Sequence, residues 1–287
     1  MSKKIIRVFP RLTNATPTDK LTAINRYPAF WEDADEIHIS VVFKDDRKRA
    51  EALALQWKEV APVSIGGPAY QARGSEFTPG LYIKRGYTIT SRGCPNSCWF
   101  CEAWRNEGHK IRTLEIKAGH DLLDNNILAC PDWHVKKVFK MLKLQKKKPR
   151  FSGGFEAARL KMWHVYQLLI LKPSVIWFAY DTPDDYEPLI EASKMLKNVG
   201  IIKANSKHVA CCYVLIGWKT DTFEAAEKRL IQTVKLGFFP QAMLLDRGIH
   251  FNETLMLKWR RYARTWCNKT IVGSKIKTLL TEDKSER

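Results

Sequence analysis

The sequence has no long apolar run, and this argues against a membrane-spanning helix. No stretch approaches the roughly 20 consecutive apolar residues that a membrane-spanning helix needs. The N-terminal residues, Met1 to Arg7, are basic, but no apolar stretch with a small-residue cleavage site follows, as it would in a secretory signal. We therefore expect a cytoplasmic protein with no membrane partner.

Acidic residues and cysteines are also comparatively few. Lys and Arg number 48 against 30 Asp and Glu, for a net charge of +18, which favours a polyanionic partner. The seven cysteines are an odd number, and a reducing compartment keeps thiols free, so a disulfide framework is not expected. No second cysteine group has ligand spacing, so only one metal centre is expected.

Three of the cysteines lie close together. Residues 90–101 read Thr-Ser-Arg-Gly-Cys-Pro-Asn-Ser-Cys-Trp-Phe-Cys and contain Cys94, Cys98 and Cys101. Three thiolates can hold three irons of a [4Fe–4S] cube and leave the fourth iron without a protein ligand. Zinc is the alternative, with His109 or Cys130 completing four ligands, and chance spacing is a third interpretation.

This spacing, with Phe100 directly before the last cysteine, resembles the signature of the radical S-adenosylmethionine (radical SAM) superfamily. The resemblance implies that the open iron binds S-adenosylmethionine and that Phe100 lies against the cofactor. It also implies an electron donor such as flavodoxin or ferredoxin. Electron transfer from the reduced cluster would then cleave the cofactor to a 5′-deoxyadenosyl radical, which abstracts hydrogen from a substrate.

From residue 85 onward, strand patterns alternate with amphipathic helices, which predicts an α/β fold. Strands are predicted at residues 87–91, 125–129, 150–152, 175–179, 209–216 and 241–245. Such units favour a parallel sheet, either open and doubly wound or closed. The resemblance favours a partial (β/α)6 TIM-like barrel over residues 83–250, followed by a basic helical C-terminus at 251–287.

Residues 1–82 predict a separate small α/β, Rossmann-like unit. Apolar residues alternate over 37–43, a helix follows over about 45–58, and a strand at 60–68 ends in Gly-Gly-Pro. The unit resembles a shortened cobalamin-binding domain from one branch of the radical SAM family. Because the Asp-x-His-x-x-Gly ligand motif is absent, cobalamin is not expected, and His38 is interpreted as structural.

The resemblance also implies which strand ends hold S-adenosylmethionine. Gly153, Gly154 and Glu156 are similar to the Gly-Gly-Glu element that holds its amino group. In the family this element follows the second strand, whereas here it follows the third predicted strand. Asn125 and Asn126 therefore remain an alternative for the same role.

Three further residues are weaker candidates. Asp181 follows the fourth strand, as do residues that bind the cofactor's ribose, although it could equally be a helix cap. Gly217 follows the fifth strand, where the adenine packs in the family. Cys130 is a weak catalytic candidate that could supply a hydrogen atom to a substrate radical.

Two basic blocks suggest a nucleic acid as partner or substrate. They lie at residues 146–150 and 258–264, and the second interleaves aromatic residues with cations on a predicted helix. That composition suits phosphate contacts and base stacking. A non-catalytic nucleic-acid-binding protein with a structural zinc or Fe–S centre is thus the alternative to an enzyme, whose substrate the sequence does not name.

Overall fold

Parallel strands form the framework of both parts of the chain. A computed structural model describes residues 3–203, 209–245, 253–268 and 270–276. The chain divides into two compact units, Met1–Asn125 and Asn126–Arg287. Each is mixed α/β with parallel sheet. None of the helices in these ranges has the length and apolar character to cross a membrane.

The first unit begins with a four-stranded parallel sheet. Its strands are β1 (Ile5–Phe9), β2 (Thr22–Ile24), β3 (Glu36–Ser40) and β4 (Val63–Gly66), in the order β2-β1-β3-β4. Helix α1 (Arg47–Trp57) connects β3 to β4 and buries Ala50, Leu53 and Trp57 in one core with Ile37 and Ile39. The prediction of an α/β arrangement is confirmed for this region, with all four strands parallel, although β1 and β2 were not predicted.

Two strand pairs complete the first unit. Strand β5 (Tyr87–Thr88) pairs in parallel with β8 (Asp121–Leu122), and β6 (Ser91–Arg92) pairs antiparallel with β7 (Arg112–Thr113). Helix α2 (Ala103–Glu107) lies between β6 and β7 in sequence. The strand expected at 87–91 is thus two short strands that belong to different pairs.

The second unit alternates helices with four parallel strands in chain order. The elements are α3 (Asp132–Lys143), β9 (Arg150–Phe155), α4 (Met162–Leu171), β10 (Val175–Tyr180), α5 (Tyr186–Asn198), β11 (Ala210–Ile216), α6 (Phe223–Lys235), β12 (Phe239–Leu244) and α7 (Glu253–Cys267). These strands confirm the last four predicted ones. The C-terminal prediction of helix is confirmed for α7 and for a helical segment at 270–276, while 277–287 lie outside the described residues.

The prediction of a strand at residues 125–129 is wrong. Ile127–Ala129 forms a single 3₁₀ turn, in which the Cys130 amide donates to the Ile127 carbonyl, and Ile127 and Leu128 are buried. A short apolar run by itself does not distinguish a buried strand from a buried turn. A strand does lie a few residues earlier, at β8, and Asp124, Asn125 and Asn126 fall between β8 and the turn.

Candidate functional site

The cysteine loop starts at a position that only glycine can occupy. Gly93, directly after β6, has φ +92°, and a Cβ there would lie 2.4 Å from the Lys110 carbonyl oxygen. The next amide, that of Cys94, donates to the Gly108 carbonyl at 3.1 Å. Cys94 is buried, whereas Cys98 and Cys101 are partly exposed. The loop therefore has a defined start and places two of its thiols nearer the surface.

Hydrogen bonds inside the loop hold its backbone around the thiols. The Cys98 carbonyl accepts from the Cys101 amide at 3.0 Å and from Trp104 Nε1 at 2.9 Å. Arg105 donates to the carbonyls of Cys101 at 3.0 Å and Trp99 at 2.8 Å. Trp104 and Arg105 both lie in α2, so the helix after the loop holds the loop's backbone.

A backbone donor also reaches one of the sulfur atoms. The Ala103 amide lies 3.4 Å from Cys101 Sγ, and all seven cysteines are free of disulfides. N–H donors to sulfur stabilise thiolate ligands and tune the potential of Fe–S clusters. Three unbridged thiols in a loop with such a donor fit a thiolate-ligated cluster. Phe100 is partly buried and packs edge-on against Trp99, with ring centroids 5.5 Å apart.

Residues after β8 fix the beginning of the cysteine loop. Asp124 is buried and accepts from the Thr90 amide at 2.6 Å, from Thr90 Oγ1 at 2.7 Å and from Ser91 Oγ at 2.6 Å. Burial raises the pKa of Asp124, and these hydrogen bonds oppose that effect. Asn125 Oδ1 accepts from the Gly93 amide at 3.1 Å. Asn125, predicted as a cofactor ligand, thus uses its side-chain oxygen to support the loop.

Glu107, at the end of α2, is an anchor that sequence reasoning missed. The residue is 8% exposed, and its two carboxylate oxygens accept from the Gly74 amide at 3.1 and 3.2 Å. It also pairs with Arg92 at 3.1 Å and with Arg112 at 2.7 Å. The acid therefore ties β6 and β7 to α2. Nothing in the sequence distinguishes it from a solvated helix acid.

In the second unit, the structure brings together two of the residues that were alternatives for one role. Asn126 Nδ2 donates to Glu156 Oε2 at 2.6 Å, and Arg159 Nε donates to the same oxygen at 2.6 Å. Asn126 is buried and Glu156 is partly exposed. The acid is thus oriented through one oxygen by a neutral and a cationic donor.

The two glycines lie inside strand β9, where they form an irregularity. Phe151 pairs with Ile176 and Phe155 pairs with Phe178, so Ser152, Gly153 and Gly154 stand opposite a single residue. Gly154 has φ +93°, which other residues rarely adopt. Bulges of this kind redirect the backbone out of the ladder. The structure therefore corrects the expectation that the glycines follow the strand.

Asp181 directly follows β10, is partly exposed as a residue and is not the helix cap, which is Thr182. Asp185 Oδ2 accepts from the amides of Asp181 and Thr182 at 2.9 and 2.7 Å, and so completes a capping box with Thr182. Burial, and then the charge of Asp185, raise the pKa of Asp181 to about 7, while a hydrogen bond from the Leu215 backbone opposes the shift. Among the described residues, Asp181 Oδ1 has no hydrogen-bond partner.

Gly217 has a packing role in the second unit. Its φ is +73°, and a Cβ would lie 2.5 Å from Leu244 Cδ1 and 3.3 Å from the Trp259 ring. Its amide donates to Asp221 Oδ2 at 2.8 Å. The space beside its Cα is therefore filled by the protein. A role in adenine binding stays a prediction that this geometry does not support.

Cys130 has a histidine neighbour that sequence reasoning missed. Cys130 and His134 are both buried, and the thiol sulfur lies within 4.8 Å of a ring nitrogen of His134. The two are four residues apart where α3 begins, so a Cys-x-x-x-His spacing was the signal that could have revealed the pair. A thiol next to an imidazole can exchange a proton with it, a property that Cys130 alone lacks.

The aromatic residues of the basic block at 258–264 do not face solvent. Trp259 is 1% exposed and stacks on Phe223, with ring centroids 4.0 Å apart. Trp266, two turns further along α7, is also buried. Tyr262 is partly buried beside them. The prediction that this helix stacks bases is therefore wrong, because its aromatic side packs into the core. Its cations, Lys258, Arg260, Arg261 and Arg264, are exposed.

His38 is engaged through both ring nitrogens, in line with its interpretation as structural. Nδ1 lies 2.6 Å from the Tyr82 hydroxyl and Nε2 lies 3.1 Å from Glu36 Oε2.

No protein-family model matches this chain, and no curated protein sequence matches it. A function for the chain has to rest on its own residues and on the resemblance of its cysteine motif.

Proposed function

We propose that this protein is a radical SAM enzyme whose [4Fe–4S] cluster is ligated by Cys94, Cys98 and Cys101. The observation that carries the proposal is the cysteine loop, with its obligatory Gly93 and its backbone donor to Cys101 Sγ. When bound, such a cluster supplies the electron that cleaves S-adenosylmethionine and starts hydrogen abstraction. Reduction by flavodoxin or ferredoxin, the partial (β/α)6 barrel and a cytoplasmic location belong to the same proposal.

The chain's own residues prepare the thiols for ligation. The Ala103 amide donates to Cys101 Sγ at 3.4 Å, a contact that would also stabilise this sulfur as an iron ligand. Arg105 holds the loop carbonyls, so its charge also lies close to the loop. Burial of Cys94 limits the access of water to that sulfur.

We assign the amino group of S-adenosylmethionine to Glu156 rather than to Asn125. Both described hydrogen bonds to Glu156, from Asn126 and Arg159, use Oε2. Oε1 can therefore accept from an ammonium group while the carboxylate stays oriented. The bulge at Gly153 and Gly154 adds backbone groups that the strand ladder does not use.

The test is spectroscopic. The protein is purified without oxygen, reconstituted with iron and sulfide, reduced, and examined by electron paramagnetic resonance with and without S-adenosylmethionine. We expect a [4Fe–4S]⁺ signal that changes on addition of the cofactor, together with release of 5′-deoxyadenosine. C98A should lose the signal, whereas the matched control C267A should keep it. Stoichiometric zinc, or a signal that ignores the cofactor, would instead indicate the non-catalytic alternative.

We further propose that a single-stranded nucleic acid binds an exposed surface on and after α3. This α3 surface consists of Trp133, Lys136, Lys137, Lys140, Lys143, Lys146, Lys147, Lys148 and Arg150, all exposed. Trp133 is 54% exposed, and Lys137 lies 5.1 Å from its ring centroid. Cations along a helix with an exposed aromatic ring combine phosphate contacts with base stacking. Asp132, at the start of the helix, is paired with Lys161.

A further inference from the structure

Helix α4 of the second unit is apolar on its exposed side as well as on its buried side. It buries Val165 and Leu168, and no residue within its bounds is charged. Four apolar side chains are exposed at the spacing i, i+4, i+7 and i+8 and form one stripe along the helix, which we call the α4 stripe: Met162, Tyr166, Leu169 and Ile170. A helix that is apolar all round is normally covered on every side, so the α4 stripe has the character of a contact surface.

The other described helices of the second unit that have ten or more residues carry charge on the side that faces solvent. Exposed examples, one from each of α3, α5, α6 and α7, are Lys140, Glu191, Lys228 and Arg260. The net charge of the chain is +18, so two copies repel each other wherever their cationic surfaces meet. A contact between copies is therefore favoured at an uncharged surface such as the α4 stripe.

The α4 stripe is self-complementary about Tyr166. Met162 and Ile170 lie four residues before and after Tyr166. Trp163, which is partly buried beside the stripe, and Leu169 lie three residues before and after it. A two-fold axis at Tyr166, perpendicular to the helix, places Met162 against the partner's Ile170. It also places Trp163 against the partner's Leu169, so that apolar side chains meet only apolar side chains and are removed from water.

The charged groups at the two ends of α4 suit the same antiparallel pairing. Lys172, the residue that ends the helix, is exposed. At the other end, the exposed Asp132 carboxylate lies 3.0 Å from Lys161 Nζ. Antiparallel pairing brings the Lys172 end of one copy to the Asp132 end of the other. The incoming lysine therefore meets a carboxylate and no net positive charge, and the two helix dipoles oppose each other favourably.

We propose that a second copy of this chain packs on the α4 stripe and forms a symmetric dimer through antiparallel α4 helices, with Tyr166 at the two-fold axis. Sedimentation velocity of the full chain, treated with nuclease and measured at several concentrations, tests the proposal. We expect a monomer–dimer equilibrium that strengthens as salt rises, since salt screens the repulsion between two cationic copies. Complexes held together by nucleic acid weaken with salt instead. C98A should dimerise like the unmodified protein, so that failure of the metal centre is separable from failure of this contact.

Variants locate the contact. I170E should weaken the dimer at least about 100-fold, because each copy would bury a carboxylate against apolar groups. L257E is the matched control and should dimerise like the unmodified protein, since Leu257 on α7 and Ile170 are both 52% exposed. Y166C places a thiol on the proposed axis and should form a disulfide between copies on mild oxidation, whereas L257C should not. A monomeric unmodified protein, a dimer that I170E leaves intact, or no disulfide in Y166C would overturn the proposal.

Discussion

The Nδ2 amide of Asn126 donates a 2.6 Å hydrogen bond to Oε2 of Glu156, although 30 residues separate the two along the chain. Asn126 lies before the 3₁₀ turn at Ile127–Ala129, and Glu156 follows β9. The sequence offered these two residues as alternatives for holding the amino group of S-adenosylmethionine, and the structure places them in contact. Arg159 adds a second donor on the same oxygen, so the pair has a defined geometry with one carboxylate oxygen left for a ligand.

The first prediction concerns this pair. E156Q in the reconstituted protein should weaken binding of S-adenosylmethionine about 10- to 100-fold, because a charge-assisted hydrogen bond to the amino group is lost. N126L should have a smaller effect, since Arg159 still orients the acid. D184N, which changes an exposed acid in the 3₁₀ turn before α5, is the control. Equilibrium dialysis measures all four proteins, and equal affinity of E156Q and the unmodified protein would remove Glu156 from the site.

The second prediction concerns the start of the cysteine loop. G93A should lower the free energy of unfolding by about 2 kcal/mol and reduce the iron retained after reconstitution, because φ +92° and the Lys110 carbonyl both oppose a Cβ. G66A is the control, since a Cβ there meets nothing within 4 Å. Urea denaturation and iron analysis measure the two effects. Full iron content in G93A would show that the loop tolerates a different path.

The third prediction compares two basic helices with the same change of charge. K137E/K140E/K143E on α3 should weaken binding of a single-stranded RNA more than R260E/R261E/R264E on α7. The reason is that only α3 presents an exposed aromatic ring next to its cations. The salt dependence of log K should also become shallower by about 0.7 per lost phosphate contact. Fluorescence anisotropy at several salt concentrations gives both values.

W133A separates stacking from charge on the same surface. It should weaken RNA binding about 5- to 150-fold without changing the salt dependence, because base stacking contributes about 1–3 kcal/mol. Equal losses in the α3 and α7 charge variants would instead indicate attraction by net charge alone.

The fourth prediction follows from the pKa of Asp181, which is about 7 in the folded protein. Because this pKa is raised, the folded state holds a proton that the unfolded state has released above pH 4. This residue's contribution to stability therefore falls as the pH rises from about 4 to 7, at about 1.4 kcal/mol per pH unit. D181N should gain stability relative to the unmodified protein across that range and stay more stable at pH 8.

Urea denaturation of both proteins at pH 5 and pH 8 measures this difference. Burial holds the pKa of Cys212, next to Asp181, well above its usual range, so this thiol stays protonated in both folded proteins at both pH values. D184N should follow the unmodified protein. A constant difference between D181N and the unmodified protein at the two pH values would show that Asp181 is ionised in the folded state.

The fifth prediction concerns Glu107. E107Q should lower the free energy of unfolding by about 2–3 kcal/mol, because Arg92 and Arg112 lose their partly buried counter-charge. E115Q removes an exposed acid that pairs with Lys117 and should cost less than about 1 kcal/mol. Equal effects in urea denaturation would mean that Glu107 is no more important than a surface acid.

Periodicity located the long elements of the second unit and missed the short ones of the first. Residues 175–179 and 209–216 are apolar runs, which parallel strands buried on both faces require, and β10 and β11 lie there. Two-residue strands such as β5 and β8 carry no period to detect. The run at 127–129 was misassigned for the same reason, since three apolar residues fit a buried turn as well as a strand.

By itself the sequence determined the cysteine spacing and the basic character of the chain, because these depend on neighbouring residues or on totals. The need for glycine at position 93 became visible only in the fold, where the Lys110 carbonyl comes close to it. Tertiary structure alone decided which aromatic residues face solvent, as the buried Trp259 and the exposed Trp133 show. It also decided that Asn126 and Glu156 meet and that Glu107 holds two arginines. Side chains far apart in sequence come together only when strands pair and helices pack, and no local pattern records that approach.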